Sequence, residues 1–219
     1  MEPSSLRAIT HSCLNGLEFL HNNGITHSNL CSRNILLRSR GRTGVKLIGF
    51  EYSKSTNSSE TSFSFLTNNR PPESILLEAL SPQADMWSLG CIICEMIQGS
   101  ELFVVNTEEH LLMTILSLLG PPEPALMDTY RSHGDNIRKY DEFFAASEVF
   151  ATVPESTAEP IPLNSLSRHI SLLFPTIDIF VIRFIAQCLQ WNDQSRITSR
   201  DALHHRWIEA QYPVTREAT

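Results

Sequence analysis

The loop His27-Ser28-Asn29-Leu30-Cys31-Ser32-Arg33-Asn34 lies between a helical pattern and an apolar strand pattern. A polar loop that starts with His27 and ends with Asn34 is how a phosphoryl-transfer loop is spelled, and such a loop needs a carboxylate at the position of Asn29 to accept a hydroxyl proton. A neutral amide has no useful basicity at physiological pH. The first question is therefore whether this loop can do the chemistry that its spacing suggests.

The elements that must hold the loop are readable around it. Leu6, Ile9, Cys13, Leu17 and Leu20 recur at three- and four-residue steps, and Asn22-Asn23-Gly24 is a stop, which predicts a helix over 5–21. The apolar runs "NILLR" and "VKLIGF" flank the turn-forming "SRGRTG" and predict a small antiparallel hairpin. From Glu51 to Asn69 the chain is rich in Ser, Thr and Asn without period, which predicts a long loop. Helices dominate the remainder. "SPQADMWSLGCIICEMIQG" has Ser81 and Pro82 as start signals and Gly99 as stop; "EEHLLMTILSLLGPP" starts near Asn106 or Thr107 and ends at Gly120. Residues 121–170 read as an irregular insert with one short helix. Phe174, Ile177, Phe180, Val181, Phe184, Ile185, Cys188 and Leu189 form a broad helical stripe, and "TSRDALHHRWI" opens a last helix capped by Thr198 or Ser199.

Composition narrows the function classes. With 219 residues and 42% hydrophobic content the chain can build a real core, and 24 acidic against 17 basic residues give a net charge of −7. No block of like charge marks a nucleic-acid face or a polybasic membrane patch, so neither nucleic acid nor membrane is an expected partner. The N-terminus has no signal-peptide pattern and no apolar run is long enough to span a bilayer, which sets the expected location as cytoplasmic or nuclear. Five cysteines do not read as a disulfide framework, and the C-x-x-C of Cys91 and Cys94 lies in an apolar helix with no second ligand pair for zinc. His204 and His205, adjacent on a helix, point apart and do not share a metal.

Several motifs in fixed order carry a resemblance. "HSNLCSRN", "GFE", "NRPPE", "DMWSLGCIICEM" and "NDQSRITSRDALHHRWI" resemble the HRDLKPxN, DFG, YRAPE, DxWSxGCIxxE and DPxxRxTxxeaLxHpW stretches of eukaryotic protein kinases. The likeness is to the C-terminal lobe and to the CMGC group, closest to Clk-like and SR-protein kinases. It implies a mainly α fold with a small β-hairpin, over 1–212 with the insert at about 121–170 and a tail at 213–219. Nothing before the first helix reads as the family's β-rich N-terminal lobe, so the expectation is the C-lobe architecture without it.

The resemblance assigns roles position by position. His27 is a structural loop residue, Glu73 and Arg196 are an ion pair tying the activation segment to the late helices, and Asp85 heads the central helix and accepts hydrogen bonds from the loop backbone. Leu36 matches the floor of the adenine pocket. Asn29 stands for the catalytic aspartate, Cys31 for the lysine that balances phosphoryl charge, and Ser28 for the arginine that reads activation-loop phosphates. Gly49 replaces the DFG aspartate and offers no oxygen to magnesium, which leaves Asn34 as the remaining cation-binding position. Glu51 replaces a glycine and points to water rather than rebuilding the metal site.

The expected function is a catalytically impaired, pseudokinase-type binding or scaffold module. No cofactor is expected, and a protein partner is expected at the face, including Leu36 and Phe50, that the N-lobe would cover. Two alternatives stand beside it. One is a fragment of a CMGC serine/threonine kinase that uses ATP and magnesium; the other is a non-functional remnant.

Overall fold

In the computed structural model, which describes residues 2–39, 42–55, 68–77, 80–133, 140, 144, 170–172 and 174–210, the first apolar stripe forms α1 (Pro3–Asn22). Pro3 sits in the first turn, where an amide hydrogen has no helical partner to lose. Leu6, Ile9, Cys13, Leu14, Leu17 and Leu20 are buried along one side, and the chain reverses through Asn23 and Gly24, whose φ is +66°. Two short antiparallel pairs follow. β2 (Ile35–Ser39) and β3 (Arg42–Leu47) form the expected hairpin, with Ile35 opposite Leu47 and Leu36 opposite Lys46. α1 lies against it: Val45 N–H donates to Ser12 Oγ at 2.9 Å, and a Cβ on Gly16 would stand 3.0 Å from Leu47 Cδ1.

The second pair corrects the expected loop. Phe50–Tyr52 make one 3-10 turn, and β4 (Lys54–Ser55) pairs with β1 (Ile25–Thr26), so the stretch after Glu51 begins as held backbone. Two-residue strands are too short to leave an alternation signal. Residues 56–67 lie outside the described residues.

The core is built around α3 (Gln83–Gln98), with α2 (Pro72–Leu76) just before it. Every residue from Ala84 to Cys94 is buried, so α3 is the central helix rather than a surface one. α4 (Glu108–Leu119) is capped by Thr107, whose Oγ1 accepts from His110 N–H. α6 (Ile179–Cys188) packs on α3, and Gly90 sets their approach: a Cβ there would lie 2.7 Å from Cys188 Cβ. α6 starts later than its stripe implies. Asp178 accepts from Phe180 N–H and caps the helix, which leaves Phe174 and Ile177 in the preceding turn.

The expected last helix is two, α7 (Ser199–Leu203) and α8 (Arg206–Glu209). Thr198 caps the first by accepting from Asp201 N–H; His205 breaks the run and caps the second, its Nδ1 accepting from Trp207 N–H at 3.2 Å. Among the described residues of the insert, α5 (Pro124–His133) is a helix and Phe144 and Ile170 are helical as well, so the insert holds more helix than expected; Tyr130, Tyr140, Phe144 and Ile170 reach the core. Trp191 Nε1 donates to Gly120 O at 3.0 Å and Tyr130 Oη to Trp191 O at 3.2 Å. The rest of the insert and the tail at 213–219 lie outside the described residues. All five cysteines are free and buried. Among the described residues no helix is long and apolar enough to cross a membrane.

Candidate functional site

Asp85, in the first turn of α3 and 1% exposed, organises the loop. Its Oδ2 accepts from His27 N–H at 2.8 Å and its Oδ1 from Ser28 N–H at 2.9 Å. The positive end of the helix favours a carboxylate there. Ser28, with φ +65°, is a non-glycine residue in the left-handed region, a strained geometry held by the charge-assisted hydrogen bonds that its own N–H and that of His27 donate to Asp85. His21, at the end of α1, adds a third contact to Asp85: its Nε2 lies 3.0 Å from Oδ2 while Nδ1 lies 2.9 Å from Ser199 Oγ.

His27 points the other way. Its Nε2–H donates to Ile48 O at 2.9 Å, and Nδ1 accepts from Asn29 N–H at 3.3 Å, which fixes the ring in the Nε2–H form. The Phe50 ring tilts over it at 4.9 Å. The segment carrying Gly49 is thus tied to the loop from both sides, since Ile48 N–H also donates to Asn34 O at 3.0 Å.

Asn34 closes the centre. Its Nδ2 donates to Asn29 O at 2.8 Å and its side chain lies over Gly49. A Cβ on Gly49 would fall 2.4 Å from Asn34 Nδ2 and 2.8 Å from Oδ1, and Gly49 itself has φ +83°. Both facts demand glycine at 49: the backbone is left-handed and the side-chain space is already filled. Asn29 is 6% exposed, and its Oδ1 is buried without a hydrogen-bond partner.

The second constellation ties the segment containing α2 to the late chain. Arg196 donates from both terminal nitrogens to the two oxygens of Glu73, at 2.7 and 2.9 Å, with both residues 2% exposed. Arg196 also donates to Gln83 O and Gln190 O, and its guanidinium lies 5.2 Å from the Trp87 ring. Burial pulls the guanidinium pKa down; the Glu73 carboxylate outweighs that and holds it above its ordinary value. Arg70 fixes the start of α2 through Ser74 Oγ and O and pairs with Glu108 of α4.

His27, Asn29, Asn34, Gly49 and Asp85 therefore form one cluster, and Glu73 with Arg196 a separate one. Arg196 reaches Gln83 O, two residues before Asp85, which links the two through α3. Leu36 is 47% exposed and Phe50 44%. Glu51 is exposed and makes no side-chain contact with the cluster among the described residues. His21 and Ser199 were missed by sequence reasoning. Nothing at position 21 distinguishes a helix-terminal histidine from one whose partner is 64 positions away.

The geometry agrees with the comparisons. A family model described as "Protein kinase domain" matches residues 1–208, and the chain belongs to the protein kinase family. The relatives it matches include dual-specificity tyrosine-phosphorylation-regulated kinases, of the CMGC group. It is 29% identical over 218 residues to such a kinase, mbk-2, of Caenorhabditis elegans, covering 95% of this chain and 26% of the relative. It is 29% identical over 229 residues to dual specificity tyrosine-phosphorylation-regulated kinase 3 of Homo sapiens, covering 95% and 37%. It is 34% identical over 198 residues to the probable serine/threonine-protein kinase dyrk2 of Dictyostelium discoideum, covering 89% and 20%. The chain thus spans well under half of these relatives.

The family implies a nucleotide and a divalent cation. At the position of the cation-binding aspartate, Gly49 brings no side-chain oxygen, and the space for a side chain there is taken by the Asn34 amide.

Proposed function

We propose that this chain is a protein kinase domain that has lost phosphate transfer and serves as a binding or scaffold module. One observation carries the reading: the position that should take the substrate's proton is the buried amide of Asn29, and Asn34 fills the space where an aspartate at 49 would reach a cation. Cys31, 5% exposed, adds a neutral side chain where phosphoryl charge would need a cation. What remains is architecture, namely the Asp85 clamp and the Glu73–Arg196 pair. The exposed Leu36 and Phe50 offer apolar surface to a protein partner, in the cytoplasm or nucleus.

The competing reading is the activity in the relatives' names, that of a protein kinase, with the ATP and magnesium that the family resemblance implies. It would need a replacement carboxylate, and Glu51 is the nearest candidate in sequence. Phosphate transfer from labelled ATP to Ser/Arg-rich peptides decides between the two. The expected result is no transfer above a no-protein control; transfer that disappears in Asn29→Ala would overturn the proposal.

A further inference from the structure

Phe180, half-buried in α6, carries two cations. The guanidinium of Arg206, the first residue of α8, lies 4.3 Å from the centre of its ring, and that of Arg183, one turn further along α6, lies 5.9 Å from it. Both arginines are exposed, and neither pairs with a carboxylate among the described residues. The acids beside them are engaged elsewhere: Asp178 accepts from Phe180 N–H as the cap of α6, and Glu209 pairs with His204. The charge is felt by its neighbours. Burial, and after it the Arg183 charge, lower the pKa of His205, the residue before Arg206, whose ring meets Phe184 at 5.2 Å.

One guanidinium over a ring face is ordinary packing. Two on one ring are not, because the second cation adds repulsion to a contact that the first already satisfies, and a bound anion offsets that repulsion. Stacking engages the flat face of a guanidinium and leaves its N–H edge free, so the pair presents donor edges of the kind that grip a doubly charged oxoanion. A polyanion fits less well. Two isolated arginines match one phosphate group, whereas nucleic acid or a lipid surface is held by many cations, and this chain has a net charge of −7. Ile179, next to Phe180 and 38% exposed, supplies an apolar seat for a peptide side chain.

We propose that Arg183 and Arg206, held over the Phe180 ring, bind the phosphate group of a phosphorylated polypeptide segment. The site shares no residue with the Asn29 loop or the hairpin, and it stands whether or not the chain transfers phosphate. The phosphate oxygens meet both guanidiniums, and a neighbouring apolar side chain of the ligand rests on Ile179. The attraction weakens as salt screens it.

Fluorescence anisotropy on the full chain tests this with a labelled Ser/Gly/Leu peptide carrying one phosphoserine. Beside it run the same peptide with serine or glutamate at that position, an oligo-thymidine strand and vesicles containing phosphatidylserine. The phosphopeptide should bind, the serine peptide should not, and the glutamate peptide should bind about tenfold more weakly or worse. Arg183→Gln with Arg206→Gln should weaken phosphopeptide binding by about tenfold or more, while Arg200→Gln, exposed but paired with Glu18, should leave it unchanged. Arg183→Lys with Arg206→Lys should keep part of the affinity, since the charge remains and the planar fork is lost. Circular dichroism of these variants should match the parent, because all three side chains are exposed. Unchanged binding by the double glutamine variant would overturn the proposal. So would equal binding of the serine peptide, or tighter binding of the oligo-thymidine strand or the vesicles. Displacement of the phosphopeptide by inorganic phosphate at the peptide's own concentration would overturn it too, because the free anion would then be the ligand.

Discussion

Gly49 and Asn34 exclude each other's alternatives: a Cβ at 49 would lie 2.4 Å from Asn34 Nδ2, and the amide is held there by its hydrogen bond to Asn29 O. Glycine at 49 is therefore more than a missing ligand. It is the residue that lets Asn34 turn inward and close the loop on itself.

Gly49→Ala should destabilise by about 1–3 kcal/mol from the left-handed backbone alone, and the overlap with Asn34 should add to that. Asn34→Ala in the same chain should recover part of the loss, because the side chain in the way is gone. Urea melts of the two single variants and the double variant measure the coupling. Strict additivity would mean that the two residues do not compete for space.

Arg196→Ala should cost on the order of 3–5 kcal/mol, since it strands the buried Glu73 carboxylate, and Glu73→Ala should cost a similar amount by stranding the guanidinium. Glu51→Ala, at an exposed site, should stay within about 0.5 kcal/mol of the parent. Chemical denaturation of all three separates a buried tie from a surface charge. Small and equal effects would argue against the pair as the anchor between α2 and the late helices.

Gly90→Ala should destabilise by about 1–3 kcal/mol through overpacking, since its Cβ would meet Cys188 Cβ at 2.7 Å. Helix propensity alone would make alanine the better residue, so the sign of the change is informative. A thermal melt that rises in Gly90→Ala would mean that α3 and α6 are not in close contact.

His205 predicts a pH dependence. Burial, with Arg183 nearby, lowers its pKa below the ordinary value, and its Nδ1 must stay unprotonated to cap α8. The folded state then binds fewer protons than the unfolded state, so this contribution to stability is complete above the unfolded value of about 6.5 and is lost as pH falls through the interval below it. Melting temperature should drop over that interval in the parent and drop less in His205→Asn, which retains a side-chain acceptor. Identical pH profiles would remove His205 from the account.

The helices were legible where apolar periodicity and stop residues mark them. Asp85 meets the loop backbone and Glu73 meets Arg196 across long stretches of sequence, contacts that the family resemblance implies and that spacing alone does not. The misses have physical causes. Phe174 and Ile177 continue the periodicity of α6, but the cap at Asp178 starts the helix after them; His205 spends its ring on a cap and splits the last helix. The filling of the Gly49 space by Asn34 is a through-space fact with no local signature.

The most direct test of the central claim is the response to Mg-ATP. A ligand at a hundred times its dissociation constant stabilises a fold by about 2.7 kcal/mol, which moves a melting transition by several degrees in a chain of this size. With Asn34 turned onto Gly49 and no aspartate at 49, millimolar Mg-ATP should leave the melting temperature of this chain unchanged. A magnesium-dependent rise that disappears in Asn34→Ala would contradict the account, because it would mean that the amide binds a cation instead of closing the loop.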